Sequence, residues 1–233
     1  MIMRSAIGAE LALPQLLVPA YFHPASHLAE WAWLAKRAAQ VRLVVLNVAN
    51  GPGTQPDPAF VPALGLLRSA GVQVAGYVDT NYGHRDSQDV LAEFGRHLDW
   101  YGVSGVFFDR AAVAPEHVTR YAELTRRARE MGAQVVALNH GAYPNEAYAD
   151  SADLLGTFEG PWRAYPDLAV PRWTRSRPAG QFFHLVHSVP LKSFDDAFWL
   201  AARRNVGCAY VTDNGGVNPW ERLPAGQFVP SAP

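Results

Sequence analysis

Two carboxylates in this sequence stand at the end of apolar runs. Asp109 closes GVFFD (105–109), and Glu159 comes just before the end of LLGTFEG (154–160). A pair of carboxyl groups within reach of one bond is the minimal equipment for hydrolysing a glycosidic linkage. One protonates the leaving oxygen while the other attacks carbon or activates water. Spacing alone leaves a buried structural pair as the alternative. The remaining apolar runs also end on polar groups: His23, Asn47 with Asn50, Asp79, Asn139 with His140, His187, and Asp213 with Asn214. A single residue of this kind is more often a helix cap, because strand-to-helix loops need Asp and Asn there. Four carboxylates converging on one face are harder to account for as caps. The segments that follow carry Tyr82, Tyr143, Trp162, Tyr165, Trp173 and Trp220 where small polar residues would be ordinary. Flat aromatic rings match the apolar C–H faces of sugars, and about half of these six are expected instead to plug the mouth or cover loop backbone.

Other chemistries find less support. His184 and His187 are three apart in a strand, so they point to opposite faces and do not share a metal. His23 lacks the second histidine, two residues on, that a barrel metallohydrolase places on its first strand. GPGTQP (51–56) follows a strand but has neither the dinucleotide fingerprint nor a P-loop lysine, and no serine sits in a GxSxG elbow. Lys36 and Lys192 are the only lysines, neither placed as a Schiff-base lysine would be, and Cys208 is alone. No metal or cofactor is expected.

The elements that must position these groups follow from the apolar pattern. Eight runs recur at 17–22, 42–49, 73–80, 105–109, 134–141, 154–160, 182–188 and 207–214. Their continuity suits parallel strands buried on both faces, and the spacing of about 27 residues is one strand-helix unit. Between them lie helical stripes, Leu28, Trp31, Leu34 and Ala38 in 24–40, and Val90, Leu91, Phe94, Leu98 and Tyr101 in 87–101. Gly71, Gly102, Gly132 and Gly207 are expected to end helices in left-handed conformation, and Pro58 and Pro115 to stand near helix starts. Only NEAYADSA is available for a helix between 141 and 154, so the fifth should be short or distorted. Eight units close most economically into one (β/α)8 barrel over residues 1–233, with its core at roughly 17–220. An open doubly wound sheet is the alternative.

A length of 233 residues suits that barrel, and a net charge of −1 leaves no electrostatic footprint for nucleic acid or an acidic membrane. The expected partner is a neutral small molecule or polymer, and the expected state a monomer. The N-terminal stretch has Glu10 and Pro14 where a secretion signal needs a continuous apolar region, so the chain as written reads as cytoplasmic.

Taken in order, VPAYFHP, VVLNVANGPG, VAGYVDTNYG, WYGVSGVFFD and FEGPW resemble the spherulin-4 family, over residues 17 to about 214. That family includes glycoside hydrolases of galactosaminogalactan and similar amino-sugar polymers. The resemblance implies a (β/α)8 fold, no cofactor, a polysaccharide substrate, secretion, and a catalytic centre made of Asp109 and Glu159. In this reading Asp109 is the candidate nucleophile and Glu159 the candidate acid/base, with the reverse assignment as the alternative, since sequence gives no environment for either carboxylate. Tyr21, His23, Asn47, Asp79, Tyr82, Arg110, Asn139, Trp162, His187 and Asp213 are the substrate-binding candidates, with Asp79 and Tyr82 expected to form one wall of the cleft. One position departs from the family: a second acidic residue follows the strand-four aspartate in other members, and this chain has Arg110. An arginine beside Asp109 is expected to lower its pKa. A binding protein that has lost hydrolysis through Arg110 is the rival reading.

Overall fold

The computed structural model describes residues 12–225, and the N-terminal stretch read above for a secretion signal lies largely outside them. Eight parallel strands close into a barrel in chain order. They are β1 (Gln15–Ala20), β2 (Val41–Leu46), β3 (Val74–Asp79), β4 (Gly105–Asp109), β5 (Val135–Asn139), β6 (Leu154–Pro161), β7 (Phe182–His187) and β8 (Cys208–Val211). β8 pairs back onto β1, which removes every sheet edge. Each strand overlaps one of the eight apolar runs.

Five α-helices cover the barrel among the described residues: α1 (Pro24–Lys36), α2 (Phe60–Ser69), α3 (Ser87–Tyr101), α4 (Val118–Glu130) and α5 (Phe194–Arg203). α3 shows the local rules at both ends. Asp86 accepts from the Gln88 N–H at 2.7 Å, and Gly102, left-handed at φ +59°, donates to the Leu98 carbonyl. The stripe expected on α1 is narrower than its sequence suggests. Trp31 and Leu34 are buried, but Leu28, which directly follows a break in the helix at His27 (φ −133°, ψ 30°), is exposed. Ala38 lies beyond α1 in a 3-10 turn. The segment after β5 is a 3-10 turn (Glu146–Asp150), short as expected, and the connection after β6 holds only 3-10 turns.

Gly71, Gly102 and Gly132 take the left-handed conformation, and Gly207 does not. Asn205 (φ +61°) turns the chain after α5 in its place. Gly207 instead lets the backbone of Ala179 approach, since a Cβ there would stand 2.8 Å from it. Inside the barrel Tyr77 stacks on Phe107, and Phe107 packs against Phe183 with ring centres 5.7 Å apart. These aromatics form a floor two residues below Asp109.

Candidate active site

Asp109 and Phe107 share a face of β4 by simple alternation, so the carboxylate stands directly above the aromatic floor. Glu159 arrives differently. On β6, Gly156 pairs with Phe183 and Glu159 with Leu185, both partners on the inner face of β7. Glu159 stands three positions after Gly156, which simple alternation would put on the opposite face. The register shift between Gly156 and Phe158 inserts an extra residue, turning Phe158 outward onto His184 and Glu159 inward.

Asn139, closing β5 between them and almost wholly buried, ties the two together. Its Nδ2 donates to Asp109 Oδ1 at 2.7 Å and to Glu159 Oε2 at 2.6 Å, so those oxygens lie no farther apart than the sum, 5.3 Å. Gly156 makes room for this amide: a Cβ there would meet Asn139 Oδ1 at 2.3 Å. Tyr77, from β3, donates its hydroxyl to Asp109 Oδ2 at 2.9 Å. The backbone N–H of Arg110 also donates to Asp109, and the Trp220 side chain donates to Glu159.

Burial dominates the electrostatics. It pushes the Glu159 carboxyl up to about 7, reinforced by the Asp109 charge and opposed by the donors Asn139 and Trp220. Burial raises Asp109 as well, against the donors Asn139, Tyr77 and the Arg110 N–H. The expectation that Arg110 lowers Asp109 by charge is therefore corrected. Its guanidinium turns away, donating to Asp79 Oδ2 at 2.8 Å and Asn81 Oδ1 at 2.7 Å and lying over the Tyr82 ring. Only its backbone reaches the aspartate.

The pair opens into a cavity of about 430 Å³, within the usual range for ligand sites. Tyr21, Asn139 and His187 line it together with Asp109 and Glu159. Phe107 and Leu185 lie beneath, and Asn50 and the loop from Gly216 to Trp220 form the sides. The other sequence candidates stand back from it. Asp79 and Tyr82 lie on the outer rim with Arg110 and do not form the cavity wall. Asn47 accepts from the Gly51 N–H at 2.9 Å and so holds the loop that presents Asn50. His23 caps α1 through Nδ1 and pairs with Asp57 at 2.9 Å. Asp213 accepts from the Ala225 N–H and faces the C-terminal segment. Trp162 is half-buried against Tyr165.

Of the other loop aromatics, Tyr165 is fully buried and bonded to His184, and Tyr143 packs on the same histidine. Trp173 packs on Phe182, the first residue of β7, at the end of the barrel opposite the mouth. A long connection returns to the bottom before the next strand, and Trp173 sits on its returning half. Two residues of the site were not among the candidates, Tyr77 and Trp220 as a donor to Glu159. Tyr77 carried a usable signal, since it stands two residues before the polar end of its strand and hence on the same face. Among the described residues no cluster of His, Cys, Asp or Glu is arranged to hold a metal ion.

Three kinds of similarity bear on this site. Spherulin-4 of Physarum polycephalum is 29% identical over 211 residues, covering 85% of this chain and 63% of its own length. The chain thus spans a little under two thirds of that relative. The crystal structure of Aspergillus clavatus Sph3 in complex with GalNAc superposes with a TM-score of 0.80 at 21% identity, over 91% of this chain and 94% of that one. The chitinase ChiC of Aspergillus fumigatus follows at 0.54 and 13%, over 93% and 95%. A deoxyribose phosphate aldolase of Aeropyrum pernix scores 0.52 at 16%, over 84% and 85%. An aldolase scoring almost as well as a chitinase shows that these likenesses carry the barrel and not its chemistry. Residues 15–228 match the family described as spherulation-specific family 4, and the chain belongs to that family.

Proposed function

We propose that this protein hydrolyses glycosidic bonds within an amino-sugar polysaccharide of galactosaminogalactan type, with retention of anomeric configuration. The observation that carries the reading is the amide of Asn139 holding two half-buried carboxylates no more than 5.3 Å apart, oxygen to oxygen, over a cavity. Retaining enzymes keep their carboxyl groups about 5–5.5 Å apart, whereas inverting ones need about 6.5–9.5 Å to admit a water. Sph3 was crystallised with GalNAc, which supports an amino sugar as the ligand class.

The two environments divide the roles. Asp109 has more donors, from Asn139, Tyr77 and the Arg110 N–H, which favour its ionised form and suit a nucleophile. Glu159, pushed up to about 7, is still protonated in a large fraction of molecules at neutral pH and suits the acid. In the first step an Asp109 oxygen forms a bond to the anomeric carbon as the bond to the leaving oxygen breaks, and the Glu159 proton passes to that oxygen. In the second, water attacks the same carbon, Glu159 takes its proton and the Asp109 ester is released.

Reducing-end release from galactosaminogalactan tests the activity, and an NMR time course tests the stereochemistry. A first product with the inverted anomer would overturn retention. Glu159→Gln given an aryl glycoside with an activated leaving group should accumulate a glycosyl-enzyme visible by mass spectrometry, because only the second step then needs the missing base. Binding of polymer without release would favour the rival binding protein. The placement of the Arg110 guanidinium on Asp79, clear of the carboxylate pair, speaks against that rival.

A further inference from the structure

The rim beside the cavity carries a feature that the two-step reaction does not use. Tyr82, in the turn after β3, leaves 49% of its surface exposed. Asn81 (φ +46°), Tyr82 (φ +56°) and Arg110 (φ +50°) all hold left-handed backbone without being glycine, each at a cost on the order of 1 kcal/mol. Such strain persists only where surrounding bonds over-determine it. Here the Tyr82 N–H donates to the Arg110 carbonyl at 2.6 Å and the Asn81 N–H to Asp79 Oδ1 at 2.6 Å, tying two neighbouring strand ends together. The guanidinium of Arg110 lies 4.9 Å from the centre of the Tyr82 ring. Its two terminal nitrogens are engaged by Asp79 and Asn81, so it backs the ring rigidly, and Asp79 cancels its charge.

We propose that Tyr82, backed by Arg110, is a second carbohydrate-stacking platform outside the catalytic cavity, taking an uncharged pyranose ring of a chain whose neighbouring units occupy that cavity. A flat ring held against rotation offers contact area at low entropic cost. An anionic ring is disfavoured because the arginine's terminal nitrogens and its charge are already committed. The position fits a continuous chain. Asp79 and Asp109 are register partners on adjacent strands, so the platform begins directly beside the catalytic pair. On another side the cavity is bounded by the loop carrying Val217, whose side chain is fully exposed. A chain crossing from that loop to Tyr82 places an internal bond over the carboxylates, which deepens the hydrolase reading and rests on it.

The test measures binding by calorimetry on Glu159→Gln, or Asp109→Asn should the first not fold, so that turnover does not intervene. The probes are disaccharide and octasaccharide fractions sized from galactosaminogalactan, with melting temperatures taken for every variant. Adding Tyr82→Ala should weaken octasaccharide binding about fivefold more than disaccharide binding, the scale of one aromatic contact. Tyr82→Phe should keep the wild-type ratio, because the ring and not the hydroxyl makes the contact. Equal losses for both lengths, no loss for either, or no binding of either fraction overturns the platform. Tighter binding of a uronate-bearing octasaccharide overturns its preference for uncharged rings. Length-dependent binding in a wild-type protein that releases no reducing ends keeps the platform and overturns the hydrolase reading.

Discussion

Two carboxylate sites stand at the same mouth, on neighbouring strand ends, and differ in what answers their charge. All three carboxylates are half-buried, but Asp109 and Glu159 are bridged by a neutral amide, while Asp79, register partner of Asp109, is paired with Arg110. A neutral donor stabilises a carboxylate without cancelling it, so burial can still move its pKa into the range where protons are exchanged near neutral pH. A guanidinium at 2.8 Å answers the charge of Asp79 directly and makes of it a clamp. The same sequence signal, an apolar run ending on an acid, therefore has two physical outcomes, decided by the nearest partner.

The widest separation between the two sites should come from removing charge. Asp109→Asn or Glu159→Gln keeps shape, and each should reduce kcat by roughly three orders of magnitude or more on a natural leaving group. Asp79→Asn should cost far less. Comparable losses in the initial rates of all three would erase the contrast.

Asn139→Ala removes the bridge and leaves both carboxylates in place. The amide lowers the pKa of both partners, so its loss should raise both, carrying both limbs of the pH–rate profile towards higher pH. A fall in kcat of about 10- to 100-fold is expected, the scale of a lost supporting contact. An unshifted profile would mean that the bridge does not set these pKa values.

Stability should move in the opposite direction to activity. Glu159 titrates at about 7 in the fold against an ordinary 4.5, so between those values the folded chain holds a proton that the unfolded chain has released. Stability from this group is complete below about 4.5, falls as pH rises, and is lost above about 7. Glu159→Gln should therefore raise the melting temperature at pH 8 relative to wild type, by a free energy on the order of 3 kcal/mol at most, and change it little at pH 4. A melting temperature that drops at pH 8 would show the carboxylate to be structural.

The smallest effect belongs to the rim. Asp79 raises the pKa of Asp109 by like charge, so Asp79→Asn should move the acid limb slightly towards lower pH. Replacing the Arg110 side chain by Ala should leave the basic limb where it is, because that side chain faces Asp79 and only its backbone reaches Asp109.

Much of this was legible in the chain itself. Eight continuous apolar runs spaced by about one strand-helix unit impose parallel strands covered on both faces, which a barrel or an open doubly wound sheet would satisfy, and the pairing of β8 with β1 decides for the barrel. Asp109 at the end of GVFFD was likewise readable, since alternation from Phe107 puts it over the barrel axis. Glu159 sits near the end of an equally clear run, but its inward aim depends on the extra residue between Gly156 and Phe158, a feature of how β6 pairs with β7. Arg110 stands next to Asp109 in sequence, yet its left-handed backbone sends the guanidinium to a neighbouring strand. Tyr77 and Trp220 reach the carboxylates from β3 and from the loop after β8. Periodicity is local, so the sequence by itself determined the strands and the end at which their polar groups gather. Partner and pKa depend on which side chains closure of the barrel brings within hydrogen-bonding distance, and on how much water it excludes, so only the tertiary structure decided them.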